Sequence, residues 1–362
     1  MKLLFIEPFY SGSHKAFADG LIRHSAHNID MLTMPGVNWN WRTRGAAFYF
    51  SQAIDDFEKY DGIITTSLMR LADFRAFTGN RLPPVMVYFH ENQLTYPLAP
   101  KEKRNQYLCM GDISTALCAD RVVFNSNFQM GAFFEAIESN LSNVPDYPPD
   151  WVLDEIKPKS AVIYPGCSFE VKPGKMEKNS LEPPLIIWNH RWSYDKNAAS
   201  FFHALEVLKA NNIDFRVAIM GENSAFVPET FVNAQQVFKK EIVHFGYETD
   251  YGHYIDWLRK GDIVISTAIQ ENFGISVVEA IHYGCIPLLP DRLSYPEIIA
   301  KEFHFDFLYK SQKQFIEKLM KIVKNPHLYL NNLDVMSENI NRYSWEKVIN
   351  FYDTAFYEMT AG

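Results

Sequence analysis

One stretch constrains the fold more than any other: Asp262 to Pro290, DIVISTAIQENFGISVVEAIHYGCIPLLP. Its β-branched run Ile263–Thr267 predicts a buried strand, Ile275–Tyr283 a helix, and Ile286–Leu289 a second short strand. The intervening loop carries Glu271, Asn272, Phe273 and Gly274, and Glu279 follows one turn into the helix. Residues three and four apart on a helix share a face, so Glu279 can look back toward a ligand at the helix start. Gly274 leaves the first-turn N–H groups open, a natural seat for an anion. The rival reading is a plain strand–turn–helix with two surface glutamates, and the rest of the chain weighs against it.

The same rhythm runs through all 362 residues, a length that suits about two domains. In the first half, Leu3–Ile6, Ile29–Thr33, Ile63–Thr65, Val85–Phe89 and Val122–Phe124 read as strands, most of them separated by helical material. Glu7–Ser13 reads as a loop, and helices are expected over His14–His24 and Gly45–Ile54. A second series starts at Leu185–Trp188 and continues through Arg216–Met220, Ile242–Phe245, Ile263–Thr267 and Ile286–Leu289. The fold class predicted is α/β, with two Rossmann-like, doubly wound parallel-sheet domains facing across a cleft. The proline-rich, charged stretch Glu170–Pro184 is the best linker. The divisions are therefore 1–170, a linker at 171–184, 185–343, and a C-terminal helix within 344–362 that packs back toward the first domain.

Composition narrows the function classes. Net charge is −8, so no global basic field captures nucleic acid, although a local basic face stays open. The four cysteines, Cys109, Cys118, Cys167 and Cys285, form no C-x-x-C pair and suit reduced thiols rather than disulfides or zinc. No run approaches the ~18 apolar residues of a membrane span, and the N-terminus MKLLFIEPFYSGSHK turns polar too soon for a signal peptide. A cytoplasmic location with no membrane partner is expected.

Ligands of such sheets sit beyond the carboxyl ends of the strands. After the first strand come Gly12, Ser13 and His14; after Val85–Phe89 come His90, Glu91, Asn92 and Gln93; after Val122–Phe124 comes Asn125. Trp39, Trp41, Arg42 and Arg44 precede a helix and offer stacking planes and guanidinium donors; at i, i+2 one tryptophan of the pair is expected in the core. The Lys101–Arg104 run reads as solvated surface. In the second half, Asn189, Arg191 and Lys196 follow the first strand, Gly221 the second and Tyr247 the third. Arg191 and Lys196 can neutralise a departing diphosphate, while Gly221 permits close approach and Tyr247 can wall a base. With no D-x-D pair, the sequence requires no metal.

The pattern R-x4-K at Arg191 and Lys196, with E-x-F-G-x4-E at Glu271, Phe273, Gly274 and Glu279, resembles the retaining glycosyltransferases of the GT-B fold. That resemblance implies donor-sugar hydroxyls on Glu271 and its neighbouring amides, the ribose on Glu279, and the diphosphate on Arg191 and Lys196. A narrower resemblance spans nearly the whole chain. IEPFYSGSHK, WNWRTRGAAFYFSQ, YFHENQLTYP, ADRVVFNSNF, NHRWSYDKN, VISTAIQENFGISVVEA and YPEI are similar to the tRNA-queuosine mannosyltransferase family. It implies GDP-mannose as donor, no cofactor, and the cyclopentene-diol of queuosine in a tRNA anticodon as acceptor. The link between domains is short here, whereas the animal members carry a long insertion.

The catalytic set expected is His90, Arg191, Lys196 and Glu271. The donor set is Gly12, Asn189, Arg191, Lys196, Gly221, Tyr247, Glu271, Asn272, Phe273, Gly274 and Glu279. The acceptor set is Ser13, His14, Trp41, Arg42, His90, Glu91, Asn92 and Gln93, on the first domain, where aromatic planes beside arginines read unstacked bases. His90 would orient the sugar, and a diphosphate oxygen would take the acceptor's proton. Three rival classes stay open on residues alone: a transferase acting on a lipid or small molecule, a sugar-nucleotide epimerase, and a silent nucleotide- or tRNA-binding protein.

Overall fold

The alternating short runs and helices become two separate six-stranded sheets with every strand parallel. The computed structural model describes residues 1–99, 102–169, 182–222 and 227–361. Two compact units result, Met1–Ser168 with Tyr343–Gly362, and Phe169–Arg342. The linker expected over 171–184 lies outside the described residues up to residue 181.

The first unit runs β1 (Lys2–Tyr10), α1 (Gly12–His24), β2 (Asn28–Pro35), α2 (Trp39–Ala53), β3 (Gly62–Thr66), α3 (Leu71–Thr78), β4 (Val85–Phe89), α4 (Gln106–Cys118), β5 (Arg121–Phe124), α5 (Asn127–Ser142), α6 (Val152–Ile156) and β6 (Ser160–Val162). Its strand order is β2-β1-β3-β4-β5-β6. Runs such as Val85–Phe89 are buried on both faces, which is why they read as continuous apolar stretches without alternation. One face of the sheet packs under α2 to α6 through residues such as Phe50, Phe74, Ile113 and Ile137. The other is covered by α1 and by the chain's last helix, whose Trp345, Tyr352 and Phe356 enter that core.

The second unit runs β7 (Leu185–Trp188), α7 (Ala198–Ala210), β8 (Arg216–Ile219), α8 (Glu229–Val237), β9 (Ile242–Phe245), α9 (Tyr251–Lys260), β10 (Ile263–Ile265), α10 (Ile275–His282), β11 (Ile286–Pro290), α11 (Tyr295–Ile298), α12 (His304–Phe307), β12 (Leu308–Tyr309), α13 (Gln312–Lys324) and α14 (Leu330–Ile340). The final helix, α15 (Trp345–Ala361), belongs to the first unit. The second sheet is ordered β12-β11-β10-β7-β8-β9.

Each order reverses at one point, between β1 and β3 in the first sheet and between β7 and β10 in the second. Neighbouring connections leave to opposite faces there, so a crevice opens beyond the strand ends. Among the described residues no helix is long and apolar enough to cross a membrane. The cysteines are free thiols; Cys109, Cys167 and Cys285 are buried and Cys118 is half-buried.

Three local expectations need correction. β1 continues to Tyr10, so Glu7 lies on a strand with its side chain fully buried rather than in a loop. α2 begins at Trp39, so the Trp39–Arg44 segment forms its first turns; Trp39 and Trp41 are 45% and 61% exposed and neither enters the core. Arg104 is not a solvated charge: it donates to the carbonyls of Gln93 and Tyr96 at 2.5 and 3.0 Å and fastens the loop after β4. Lys101 of that run lies outside the described residues.

Candidate active site

In the second unit, the loops after β7 and β10 are stitched together by backbone and side chain. The carbonyl of Asp195 accepts the Ile269 N–H at 2.8 Å, and the carbonyl of Lys196 accepts the Thr267 hydroxyl at 2.9 Å. This brings Lys196 and Glu271, far apart in sequence, to one point. The Lys196 ammonium is buried and donates to the Gln270 carbonyl at 2.8 Å. It also faces Asp195 Oδ2 at 3.1 Å and Glu271 Oε2 at 3.2 Å. Burial works against that charge, but the Glu271 and Asp195 carboxylates outweigh it and hold the lysine above its ordinary pKa. Asp195 is likewise opposed by burial yet held below the usual carboxylate range by Lys196 and by the Ser193 hydroxyl, which donates at 2.5 Å.

Gly274 caps α10 with φ +97°, a conformation that suits glycine and turns the chain so that the helix starts beside Glu271. Ser294 holds the turn by donating to the Phe273 carbonyl at 2.8 Å. Phe273 is buried, an anchor of the loop rather than an open contact surface. Further along α10, Glu279 accepts hydrogen bonds from Tyr251 and Tyr254, both at 3.0 Å. Asn189 closes this network, donating to the Tyr254 hydroxyl and the Ser276 carbonyl at 2.9 Å each, while its buried Oδ1 has no hydrogen-bond partner among the described residues. Burial raises the Glu279 pKa, with the two tyrosine hydroxyls acting against the shift.

Gly221, at the end of β8, sits so close to the β7 loop that a Cβ would lie 1.8 Å from the His190 carbonyl oxygen. His190 itself is buried and neutral: burial and the nearby Lys196 charge push it down to about 4, and its Nε2 lies 3.1 Å from the Ile265 carbonyl. Arg191 is exposed, so the two expected phosphate cations differ sharply in setting. Tyr247 is 60% exposed beyond β9.

In the first unit, the ends of β1 and β4 converge. Glu7 Oε1 accepts the Phe9 N–H at 2.8 Å and lies 3.3 Å from both Thr66 Oγ1 and His14 Nδ1. The other His14 nitrogen points toward Glu91 Oε2 at 3.7 Å. Burial disfavours the His14 cation, but the charges and hydrogen bonds of Glu7 and Glu91 overcome it and push its pKa up to about 10. The His90 ring lies 4.0 Å from that of His14, centroid to centroid. Burial, with the His14 charge, holds His90 well below its ordinary value. One histidine is thus a fixed cation and its neighbour a neutral imidazole. Asn125 orients the His90 backbone, donating to its carbonyl at 3.0 Å.

Glu7, His14 and His90 offer ligand atoms within 4.8 Å of one another, close enough to consider a metal ion. A divalent ion there would have to displace the proton that His14 shares with its two carboxylates.

His14, His90 and Glu91 therefore come together as expected candidates, with Ser13 and Gly12 exposed at the adjoining turn into α1. Others carry structural duties. Arg42 is 9% exposed and both Nε and one terminal nitrogen donate to the Pro35 carbonyl at 3.3 Å, tying α2 to β2. Asn92 is buried and its side-chain oxygen accepts the N–H and hydroxyl of Thr95 at 2.9 and 3.0 Å, closing a turn. The Gln93 backbone N–H donates to Asp112 at 2.5 Å. Trp41 is on the exposed surface of α2. The residues missed are Glu7, Asp195, Tyr251 and Tyr254; no spacing rule links them to their partners, although the acids at the two strand ends are themselves a signal.

Two parallel α/β units with a lysine–glutamate junction at one strand-end crevice and a capped helix beside it define a GT-B glycosyltransferase. The solved structures agree on the fold. Sucrose-phosphate synthase of Thermosynechococcus elongatus matches with a TM-score of 0.75 at 11% identity, covering 100% of both chains. Anabaena HepE in complex with UDP and glucose matches with 0.71 at 13% identity, covering 99% of this chain and 100% of that one. Starch synthase IV of Arabidopsis thaliana, bound to ADP and acarbose, matches with 0.71 at 10%, covering 100% of both.

The family follows from sequence. The profile described as tRNA-queuosine alpha-mannosyltransferase N-terminal matches residues 2–167, and that described as glycosyl transferases group 1 matches residues 172–342. The tRNA-queuosine alpha-mannosyltransferase of Drosophila melanogaster is 33% identical over 362 residues, covering 97% of this chain and 95% of the fly protein. The chain belongs to the tRNA-queuosine alpha-mannosyltransferase family and is a hexosyltransferase. Those two near-equal coverages leave no room for a long insertion in the fly relative, so the expected departure at the domain link does not hold for it.

Proposed function

We propose that the protein transfers mannose from GDP-mannose to the cyclopentene-diol of queuosine in a tRNA anticodon, with retention at the anomeric carbon. The observation that carries this reading is the likeness to the fly enzyme over nearly the full length of both chains, with the Lys196–Glu271 junction intact. Breaking the C1–O bond to the diphosphate develops negative charge on GDP, which Arg191, Lys196 and the first-turn N–H groups of α10 meet. Three oxygens, of Gln270, Asp195 and Glu271, lie within 3.2 Å of the Lys196 ammonium nitrogen. A phosphate oxygen would replace Glu271 in that set and release its carboxylate to the sugar hydroxyls. The acceptor oxygen bonds to C1 on the face the diphosphate leaves, and its proton passes to a diphosphate oxygen.

Glu279, held by Tyr251 and Tyr254, takes the ribose, and Tyr247 covers the guanine. Gly12, Asn189, Gly221, Asn272, Phe273 and Gly274 shape the donor site. On the first unit, Ser13, His14, Glu91 and the neutral His90 orient the reacting hydroxyls. No cofactor or metal takes part in this scheme, and the reaction belongs in the cytoplasm, where its tRNA substrate is. The test is to incubate the protein with GDP-mannose and tRNA containing or lacking queuosine, then weigh the digested nucleosides. A hexose on queuosine alone supports the reading; transfer to neither tRNA, with GDP-mannose bound, overturns the acceptor.

A further inference from the structure

The first unit carries an exposed aromatic surface that the chemistry above does not use. Trp41, Phe48, Phe77 and Tyr107 are each between 41% and 61% exposed, all on α2, α3 and α4. Large apolar side chains gathered on one face mark an interaction site rather than scattered exposure. Phe48 and Phe77 stack at 4.5 Å and join α2 to α3.

Arginines are set among these rings. The Arg70 guanidinium lies 3.8 Å from the Tyr107 ring centroid and donates to the Tyr107 carbonyl at 2.5 Å. Arg44, exposed on α2, lies 5.7 Å from the same ring. Trp41 is one helical turn from Gly45, where an added Cβ would meet the indole at 2.7 Å, so the ring rests on bare backbone. α2 contains two arginines and no acid, in a chain of net charge −8. Among the described residues, the acid within ion-pair distance of these arginines is Asp73, 4.0 Å from Arg70.

Position completes the case. Trp41 and Arg44 lie in the first turns of α2, Arg70 caps α3, and Tyr107 opens α4. These helices follow β2, β3 and β4, so all four residues stand at the strand-end rim that also holds His14, His90 and Glu91.

We propose that this α2–α3–α4 rim is a docking platform for single-stranded RNA, with Trp41 and Tyr107 stacking unpaired bases and Arg44 and Arg70 meeting phosphates. It rests on the tRNA reading for its biological ligand, but the platform itself is read by binding alone. Planar rings interleaved with guanidinium groups suit unstacked bases, and duplex RNA offers none.

The measurement is fluorescence anisotropy of a labelled anticodon stem-loop lacking queuosine, with a fully paired RNA of equal length beside it. Trp41→Ala, Tyr107→Ala, Gly45→Ala and the double variant Arg44→Ala/Arg70→Ala are compared with the parent, each checked for an unchanged thermal midpoint. The parent should prefer the stem-loop. Each aromatic loss should weaken binding about 10- to 100-fold. Gly45→Ala should reproduce part of the Trp41 loss while adding a better helix former. The double arginine variant should flatten the log–log salt slope by roughly two. Variants that bind as the parent does, equal binding to the duplex, or a change only in oligomeric state overturn the platform. Absence of hexose transfer by a parent that binds the loop sinks the acceptor reading instead and leaves the platform standing.

Discussion

Replacing Glu271 by glutamine separates two roles that otherwise move together. The side chain is 18% exposed and holds Lys196 at 3.2 Å. In Glu271→Gln the amide oxygen still accepts from Lys196, and Asp195 at 3.1 Å with the Gln270 carbonyl at 2.8 Å remains in place. An ion pair becomes a hydrogen bond from the ammonium to a neutral acceptor, a loss of about 1–2 kcal/mol. For a unit of this size the thermal midpoint should fall by about 2–8 °C. The effect on transfer is larger, because the lost charge acts where the oxocarbenium-like sugar forms: about 10²- to 10³-fold in kcat, or about 2.7–4 kcal/mol. GDP binding should move the other way. With one carboxylate fewer beside it, the Lys196 ammonium is freer to meet a phosphate, so the Kd for GDP should stay level or tighten. Calorimetric titration with GDP and steady-state transfer assays on one preparation read both. Weakened GDP binding in a folded variant, or parental turnover, would refute the exchange of partners at Lys196.

Two further outcomes follow from single residues. His14 has its folded pKa raised to about 10 by Glu7 and Glu91, against 6.5 unfolded, so its ion pairs stabilise fully below pH 6.5 and are lost as pH rises through 10; urea midpoints of the parent should decline across that window by the equivalent of a few kcal/mol, on the order expected of a buried pair, and His14→Gln should remove most of the slope, whereas parallel curves would dismiss the pair. Gly221→Ala should lower the thermal midpoint by several degrees, since its Cβ meets the His190 backbone oxygen at 1.8 Å and one of the two segments must shift, a strain of about 1–3 kcal/mol; an unchanged midpoint would mean the contact between the segments after β7 and β8 is looser than the geometry states.

The strands around both crevices were legible because fully buried parallel strands leave continuous apolar runs, as in Leu185–Trp188 and Val85–Phe89. The Glu271–Gly274 loop was legible for a different reason: its residues are consecutive, and the helix after it carries a strong periodic pattern. Glu7 was not. It sits in Ile6-Glu7-Pro8, where a charge and a proline both look like a strand's end, and its partners Thr66, His14 and Phe9 are assembled only by the sheet. Tyr251 and Tyr254 reach Glu279 across 28 and 25 residues of sequence, a contact no periodicity encodes. The start of α2 was missed although Asn38 is a residue type favoured at helix starts; it enters the helix at φ +54° and its side chain makes no cap hydrogen bond. The short edge strands β6 and β12 carry two or three residues each, below what a pattern can register.

The two histidines at the first crevice show how burial assigns roles that residue type alone leaves open. Both are imidazoles with the same intrinsic affinity for a proton, and their rings lie 4.0 Å apart. Burial favours one positive charge between them, since a second would place two cations in contact away from water. Glu7, fully buried and bonded to the Phe9 N–H, decides which ring keeps it: the nitrogen it faces belongs to His14. Burial and the His14 charge hold His90 well below its ordinary value, which suits a neutral ring that hydrogen-bonds a hydroxyl rather than one that presents a cation. In the other unit the balance runs the opposite way for Lys196, which the Glu271 and Asp195 carboxylates hold protonated against burial. A buried acid beside one histidine and two acids around one lysine thus set which groups carry charge in each crevice, the division of labour that the proposed transfer requires.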